Sequence, residues 1–263
     1  MFTVVQVESA GRRSRMRLRR MPPVLSNVSV PGGSPFYILR DSGRTPPQEL
    51  FRLAARCAPF VLTDLEIPPN AHVRRFDPHV FLLRYAANTL IRLLAAAALA
   101  PQTVTLGICD LHGALHGQVC AFLRYAAEVR IVTQNVPGYD MDVRCAARDW
   151  GAGLTVGDNP QLLRGCTIVL YARPCPPVDA PFRFGCAAAP DAFIPQPPCL
   201  PPLYTARRPD CVPPEQFAAA LAELCGVHVL EQCACPGLLR NAEAFTLPEA
   251  ADLWRVHYAE IVS

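Results

Sequence analysis

The sequence predicts an α/β fold built on a doubly wound, mainly parallel sheet. Two observations lead to this expectation: short apolar segments alternate with helical patterns from about residue 46, and those segments are apolar throughout instead of at every second position. Strands of that kind are buried on both faces, as in a parallel sheet covered by helical crossovers. With 263 residues, the chain is long enough for one large domain or two smaller ones.

The predicted elements alternate along the chain. The predicted helices cover residues 46–57, 78–99, 114–127 and 139–150. The predicted strands cover residues 59–64, 103–109, 129–133, 154–156 and 167–171. A short helical turn is expected at residues 160–164, between the last two strands.

The N-terminal segment is predicted to form a β-hairpin with the arms FTVVQV and RSRMRLR. Alternation in the second arm places Arg13, Arg15, Arg17 and Arg19 on one face of the strand. A basic face of this kind is common on edge strands, where the charge prevents aggregation. The alternative is that this face contacts a protein partner. The net charge of +3 is too small to favour nucleic-acid binding.

Composition changes abruptly at Pro174. Of the 28 prolines, 13 lie between residues 174 and 214, which excludes long helices and central strands there. One more strand is expected within residues 181–188, and helical patterning returns in PPEQFAAALAELCG and LPEAADLWRVHYAEI. The predicted organisation has three parts: a hairpin and irregular segment at 1–45, an α/β domain at 46–173, and a proline-rich cover with C-terminal helices at 174–263.

Composition also excludes several chemistries. The chain has no lysine, so all 25 positive charges are arginine, and neither a Schiff base nor a P-loop lysine is available. The abundance of Ala, Pro and Gly beside this absence is typical of a GC-rich genome, and a bacterial protein is expected. The sequence shows no secretory signal and no apolar run of the roughly 20 residues that span a bilayer, so a cytoplasmic protein is expected.

The twelve cysteines are scattered through predicted strands and helices, which indicates reduced thiols and not a disulfide framework. Cys233 and Cys235 form the one close pair. A zinc site would require Cys211, Cys225 or His228 to converge with them, and no metal site is predicted.

The segment GICDLHGALHG, residues 107–117, carries the functional prediction. In doubly wound sheets, ligands bind beyond the carboxyl ends of the strands, and this turn follows the predicted strand 103–109. The candidate ligand-binding residues at this edge are Asp110, His112, Gly113, Thr133, Asn135 and Asp158. Asp110 and His112 are also candidate acid–base residues, since imidazole titrates near neutrality and a carboxylate can orient it. Capping of the following helix is the alternative role for both.

Residues 103–173 resemble in layout the nucleotide-binding half of Rossmann dehydrogenases, particularly shikimate-dehydrogenase-like domains. The resemblance rests on the βαβ unit at 103–133, a strand that ends in Thr, and the later stretch QLLRGCTIV, and it implies a Rossmann-like fold. A dinucleotide loop requires G-x-G-x-x-G, but Asp110, His112 and Leu115 occupy those positions. Conventional NAD(P) binding is therefore disfavoured, and a small polar ligand, or none, is expected.

The same segment is similar to the nucleophile motif D-x-D-G-T-L of the haloacid dehalogenase superfamily. DLHGAL, VRIVTQN and VGDN match three motifs of that superfamily in order. The resemblance implies that Asp110 attacks phosphate, Thr133 holds it and Asp158 helps to bind magnesium, with Arg144 or Arg148 in place of the missing lysine.

Spacing argues against this phosphohydrolase alternative. If the three strands are ordered outward, Asp158 starts about 10 Å from Asp110, too far for both to bind one metal ion. His112 and Ala114 also replace the general acid and the Thr of the motif. A third alternative is a non-catalytic interaction protein that contacts its partner through the arginine-rich hairpin and the proline-rich cover.

Overall fold

The computed structural model of the chain describes residues 1–7, 22–171, 180–185, 191–233 and 235–262. The strands of these residues are, in chain order, β1 (Thr3–Val7), β2 (Val24–Val28), β3 (Phe36–Asp41), β4 (Phe60–Leu62), β5 (Arg74–Arg75), β6 (Thr105–Cys109), β7 (Glu128–Val132), β8 (Gly153–Gly157), β9 (Ile168–Tyr171), β10 (Phe182–Gly185), β11 (Ile194–Pro195), β12 (Leu238–Arg240) and β13 (Glu243–Phe245). The α-helices are α1 (Pro47–Ala55), α2 (His79–Ala97), α3 (Asp140–Cys145), α4 (Pro202–Thr205), α5 (Pro214–Cys225) and α6 (Leu247–Val262).

The chain divides into two compact units. The first comprises residues 1–78 and 200–231, and the second comprises residues 79–199 and 232–263. These divisions do not fall at residues 45 and 173, where the composition changes. Each unit contains a five-stranded sheet of its own, which the sequence did not indicate.

The sheet of the second unit has the order β10-β9-β6-β7-β8, and all neighbouring strands in it are parallel. Counted from β6 along the chain, this is the Rossmann order 3-2-1-4-5. The predicted doubly wound, Rossmann-like α/β fold is therefore confirmed. The strand expected within residues 181–188 is β10, and residues 186–188 lie outside the described part of the chain.

The core of the second unit lies against this sheet. The successive residues Ile168, Val169 and Leu170 of β9 are all buried, as expected for a strand covered on both faces. Trp254 of α6 is also fully buried, and its ring contacts Phe182 at 5.0 Å between centroids. Helix α6 packs against α2, so both helices cover the same sheet.

In the first unit, β1 is a central strand and not one arm of a hairpin. The sheet order is β2-β3-β1-β4-β5, and β1 pairs in parallel with β3 on one side and with β4 on the other. Val4 and Val5 are buried because both faces are covered. The expected first arm is thus a core element, and the expected arginine-rich second arm lies outside the described residues. The predicted strand 59–64 belongs to this sheet as β4, not to the sheet that contains β6.

One expected helix of the second unit is replaced by a shorter segment, and another is present but ends in a π-helix. The predicted helix 114–127 is a series of turns followed by a 3₁₀-helix at Val119–Arg124. Its glycine Gly117 has a φ of +77°, which is left-handed and interrupts an α-helix. The predicted helix 139–150 is α3 followed by a π-helix at Ala146–Trp150. The expected turn at 160–164 is confirmed as a 3₁₀-helix at Pro160–Leu163.

Among the described residues, α2 is the one helix that is long and apolar enough to cross a membrane. In its most apolar window, 56% of the residues are buried inside the protein. Burial of that extent is typical of a core helix, and α2 covers the Rossmann-like sheet together with α6.

We expect Gly185→Ala to destabilise the second unit by about 2 kcal/mol, the range for an overpacked core. A Cβ atom at this position would lie 2.0 Å from the carbonyl oxygen of Tyr171 on the neighbouring strand, so β9 and β10 would have to separate. The matched control is Gly153→Ala, where the Cβ meets its nearest atom, Cγ of Glu128, at an ordinary 3.5 Å. Urea unfolding of both variants measures the difference, and equal midpoints would contradict the packing of β10 on β9.

Candidate functional site

The carboxyl ends of β6, β7 and β8 lie side by side. The register pairs Cys109 with Val132 and Val132 with Gly157, so the next residues of the three strands are Asp110, Thr133 and Asp158. The three residues therefore lie along one edge of the sheet, as the sequence predicted. The outward order of the strands also places Asp158 two strands away from Asp110.

Asp110 is buried, with an exposed fraction of only 2%. Its Oδ1 accepts a hydrogen bond from the backbone N–H of Ala114 at 2.9 Å, and its Oδ2 accepts one from Leu115 at 2.7 Å. Oδ2 also accepts a hydrogen bond from the hydroxyl of Tyr139 at 2.5 Å. The side chain of Asp110 therefore faces the interior of the turn and not solvent. It accepts the amides of Ala114 and Leu115, which have no carbonyl partner, whereas Gly113 and His116 donate to carbonyls within the turn.

Tyr139 completes the surroundings of this carboxylate from the segment that follows β7. Its side chain is fully buried. Burial, and then the hydrogen bond to Asp110, raise the pKa of the Tyr139 hydroxyl far above its ordinary value. The hydroxyl therefore keeps its proton and acts as a permanent donor to Asp110.

A second carboxylate holds the far end of the turn. Both oxygens of the buried Asp142 accept a hydrogen bond from the N–H of Gly117, at 3.0 and 2.9 Å. From α2, Nε of Arg84 donates to the carbonyl oxygen of Ala114 at 2.9 Å. The turn after β6 is thus fixed by side chains of three other elements. The sequence analysis missed Tyr139, Asp142 and Arg84, which lie 25 to 30 residues from their partners.

These contacts do not fit a dinucleotide. In a Rossmann nucleotide site, the backbone N–H groups of this turn and of the helix after it bind the pyrophosphate. Here the amides of Ala114, Leu115 and Gly117 bind two carboxylates of the same chain. A phosphate would meet occupied donors and two negative charges, and the segment behind the turn is a short 3₁₀-helix.

The phosphohydrolase geometry does not fit either. A nucleophilic carboxylate must present an oxygen to phosphate, whereas both oxygens of Asp110 are bound inside the turn. Arg148 is exposed and binds the adjacent Asp149 at 2.6 Å. No group of three or more His, Cys, Asp or Glu side chains among the described residues can hold a metal ion, including the cysteines near Cys233.

His112 projects from the same turn and is exposed. Its ring lies edge-on to the ring of His79, the first residue of α2, with 4.7 Å between the centroids. Burial lowers the pKa of His79, and the charge of His112 lowers it further, while Asp110 opposes the shift. His79 is therefore neutral at neutral pH. His79 is a fourth residue of the site that could not be found from the sequence.

Gly113 and Asn135 form the remaining surface beside His112. Gly113 has a φ of +77°, and a Cβ there would lie 2.9 Å from Nδ2 of Asn135. A Cβ on Gly138 would lie 2.6 Å from the same atom, so the Asn135 amide lies between two glycines. The Asn135 side chain is exposed, in contrast to Thr133, which is fully buried and whose Oγ1 accepts the Asn135 N–H at 3.0 Å.

Asp158 lies apart from this group. It is exposed, and the neighbouring Asn159 caps the 3₁₀-helix that follows by accepting the N–H of Gln161 at 2.9 Å. The structure therefore brings together Asp110, His112, Gly113 and Asn135, with His79 in addition. Thr133 is buried beneath Asn135 and accepts its N–H, and Asp158 follows β8, two strands away from Asp110.

Known proteins with a detectable similarity to this chain do not indicate its function. No family model matches the sequence, and no curated protein matches it. Among solved structures, the chain is similar to L-tryptophan dehydrogenase from Nostoc punctiforme, with 8% identity and a TM-score of 0.32. That match covers 70% of this chain and 61% of the other, so it spans about three fifths of the dehydrogenase. A similarity of this size carries no argument about function.

We expect Asp110→Asn to destabilise the second unit by about 3 kcal/mol, because a buried charged acceptor of three donors is lost. The amide retains one acceptor oxygen, and its NH₂ group would face an N–H or the Tyr139 hydroxyl. Asp158→Asn, at an exposed position, should change stability by less than about 0.5 kcal/mol. Urea unfolding compares the two, and an Asp110→Asn protein as stable as the wild type would contradict the buried role.

We also expect stability to fall as the pH is lowered through the ordinary His pKa of 6.5, because the folded protein resists protonation of His79. The unfolded chain gains a proton there that the folded chain, with its lowered pKa, does not. His79→Gln should remove this part of the loss between about pH 7 and pH 5, whereas His116→Gln, at an exposed position, should not. Urea unfolding at pH 7 and pH 5 measures the loss of stability in each protein. An identical pH dependence in the wild type and in His79→Gln would contradict the lowered pKa of His79.

Proposed function

We propose that the protein binds a small polar ligand without phosphate groups at the carboxyl edge of its Rossmann-like sheet. The observation that carries the proposal is the capture of the turn's amides by Asp110 and Asp142. Because those donors are no longer free, recognition falls to the exposed side chains beside them. These are the imidazole of His112 and the amide of Asn135.

The chemistry of these two groups defines the ligand class. An imidazole and an amide offer hydrogen-bond donors and acceptors without a fixed charge, while the nearby carboxylates disfavour anions. Gly113 brings the backbone close to the same surface, since its position tolerates no side chain beside Asn135. A compact molecule with hydroxyl, amide or amine groups fits this description better than a nucleotide.

Other functions remain less well supported by the described residues. The phosphohydrolase alternative requires an accessible Asp110, which is buried. The protein-interaction alternative depends on the arginines between residues 13 and 19, which lie outside the described part of the chain, and it stays a prediction. A cytoplasmic location is likewise part of the proposal.

A thermal-shift screen of the whole chain tests the proposal, because a ligand stabilises the folded state in proportion to its occupancy. The panel contains sugars, amino acids, hydroxy acids, nucleotides, dinucleotides and divalent metal salts. We expect stabilisation by an uncharged or amine-bearing compound that is lost in His112→Ala and in Asn135→Ala. His116→Ala, which removes an exposed imidazole from the same turn, is the matched control and should keep it.

Two results would contradict the proposal. One is stabilisation by nucleotides or dinucleotides with no effect of His112→Ala, which would indicate a phosphate site elsewhere. The other is stabilisation by a polar compound that His112→Ala and His116→Ala weaken equally.

A further inference from the structure

A groove of about 490 Å³ lies between β13 and helix α6 of the second unit. Apolar side chains form part of its lining, among them Phe245, Leu253 and Val256. Val256 is 61% exposed. The groove is distant in sequence from the turn at residues 110–117 and is independent of the proposed ligand site.

The groove follows from the way in which α6 packs. Its inner face buries Ala250, Trp254 and Tyr258, so Val256 lies on the outer side of the helix. The other wall is the hairpin of β12 and β13, whose turn residues Asn241 and Ala242 both have positive φ. Such a turn closes a two-residue hairpin and keeps β13 beside the start of α6.

Three carboxylates surround the apolar lining: Glu243, Glu249 and Asp252. Glu249 accepts hydrogen bonds at 2.8 Å from the backbone N–H and from the hydroxyl of Thr246, and these bonds lower its pKa. Glu249 therefore stays ionised at neutral pH. Two arginines lie close to these carboxylates. Arg255 binds Asp252 at 2.8 Å and also donates to the carbonyl of Ala97 at the end of α2, and Arg240 lies opposite Glu243 in the hairpin.

The sign of this charge is opposite to that of the chain. The net charge is +3, so a groove lined by three carboxylates is a local reversal and not a general property of the surface. An apolar recess with acidic walls attracts a cation that carries an apolar body, and it repels anionic partners. His257 also lines the groove and lies 3.2 Å from Glu260.

We propose that this groove is a docking surface for a basic amphipathic segment of a partner protein. An apolar side chain of the segment lies against Leu253 and Val256, and flanking arginines or lysines reach Glu243 and Glu249, since Asp252 is already paired with Arg255. The volume accommodates one or two side chains and not a folded domain, so the contact is a short-peptide one. The carboxylates of the groove are complementary in charge to the basic residues of such a segment, which favours this occupant over an acidic one.

Fluorescence anisotropy with a labelled peptide of arginine and leucine tests the proposal on the full chain. We expect saturable binding that weakens with salt, and no binding of the counterpart peptide in which glutamate replaces arginine. Val256→Ser should weaken binding about tenfold because it removes buried apolar surface. Val229→Ser is the matched control, since Val229 is 62% exposed on the first unit.

A second pair of variants measures how much the negative charge of the groove contributes to peptide binding. Glu243→Gln should weaken binding about threefold, the effect expected for one exposed ion pair. Glu66→Gln removes the same charge from an exposed position of the first unit and should have no effect. Each of these four substitutions is at the surface, and thermal unfolding verifies that all four proteins stay folded.

Three outcomes would overturn the proposal. Equal weakening by Glu243→Gln and Glu66→Gln would indicate non-specific charge attraction, and absence of saturable binding would exclude the peptide altogether. The third outcome is a wild-type dimer that the peptide does not dissociate and that is absent in Val256→Ser. This result would identify a second copy of this chain as the occupant of the groove. Sedimentation velocity at two protein concentrations distinguishes this last case.

Discussion

The hydrogen bonds from the amides of residues 114 and 115 to the carboxylate of Asp110 determine the form of the turn after β6. A carboxylate buried to this degree is stable only where donors surround it, and Tyr139 supplies the third donor. Asp142 of α3 repeats the arrangement at Gly117, so one turn binds two buried carboxylates. These contacts hold the backbone on the C-terminal side of His112 in place, and His112 is exposed in the same turn.

The same contacts explain how a Rossmann-like sheet exists here without the features of a dinucleotide site. The strand order places an anion-binding turn beside β6, and the fold leaves the amides of that turn without partners. In nucleotide-binding proteins a phosphate provides the partner, whereas in this chain two aspartates provide it. The amides of Ala114, Leu115 and Gly117 therefore have partners within the chain, and the exposed polar side chains beside them are those of His112 and Asn135.

Part of the second unit could be predicted from the sequence, because the central strands β6 and β9 are mostly apolar, and a short apolar segment of this kind indicates a buried strand. Capping as an alternative role for Asp110 was also accessible from its place after a strand. The central position of β1 could not be predicted from the sequence, because FTVVQV has the same apolar pattern in a hairpin as in the middle of a sheet. Nor could Tyr139, Asp142 and His79 be found, because their roles arise from contacts between segments distant in sequence. Helical periodicity at residues 114–127 was misleading, since Gly117 and the competing carboxylates override local propensity.

Amide hydrogen exchange measured by NMR tests most directly whether Asp110 holds the turn. The account predicts that the amides of Ala114 and Leu115 exchange slowly, at rates set by unfolding of the second unit, although neither lies in an α-helix or a strand. It also predicts that their exchange accelerates when Asp110 is replaced by asparagine, while the amides of β7 keep their protection relative to global stability. Fast exchange of Ala114 and Leu115 in the wild-type protein, at the rate of an open loop, would contradict the account.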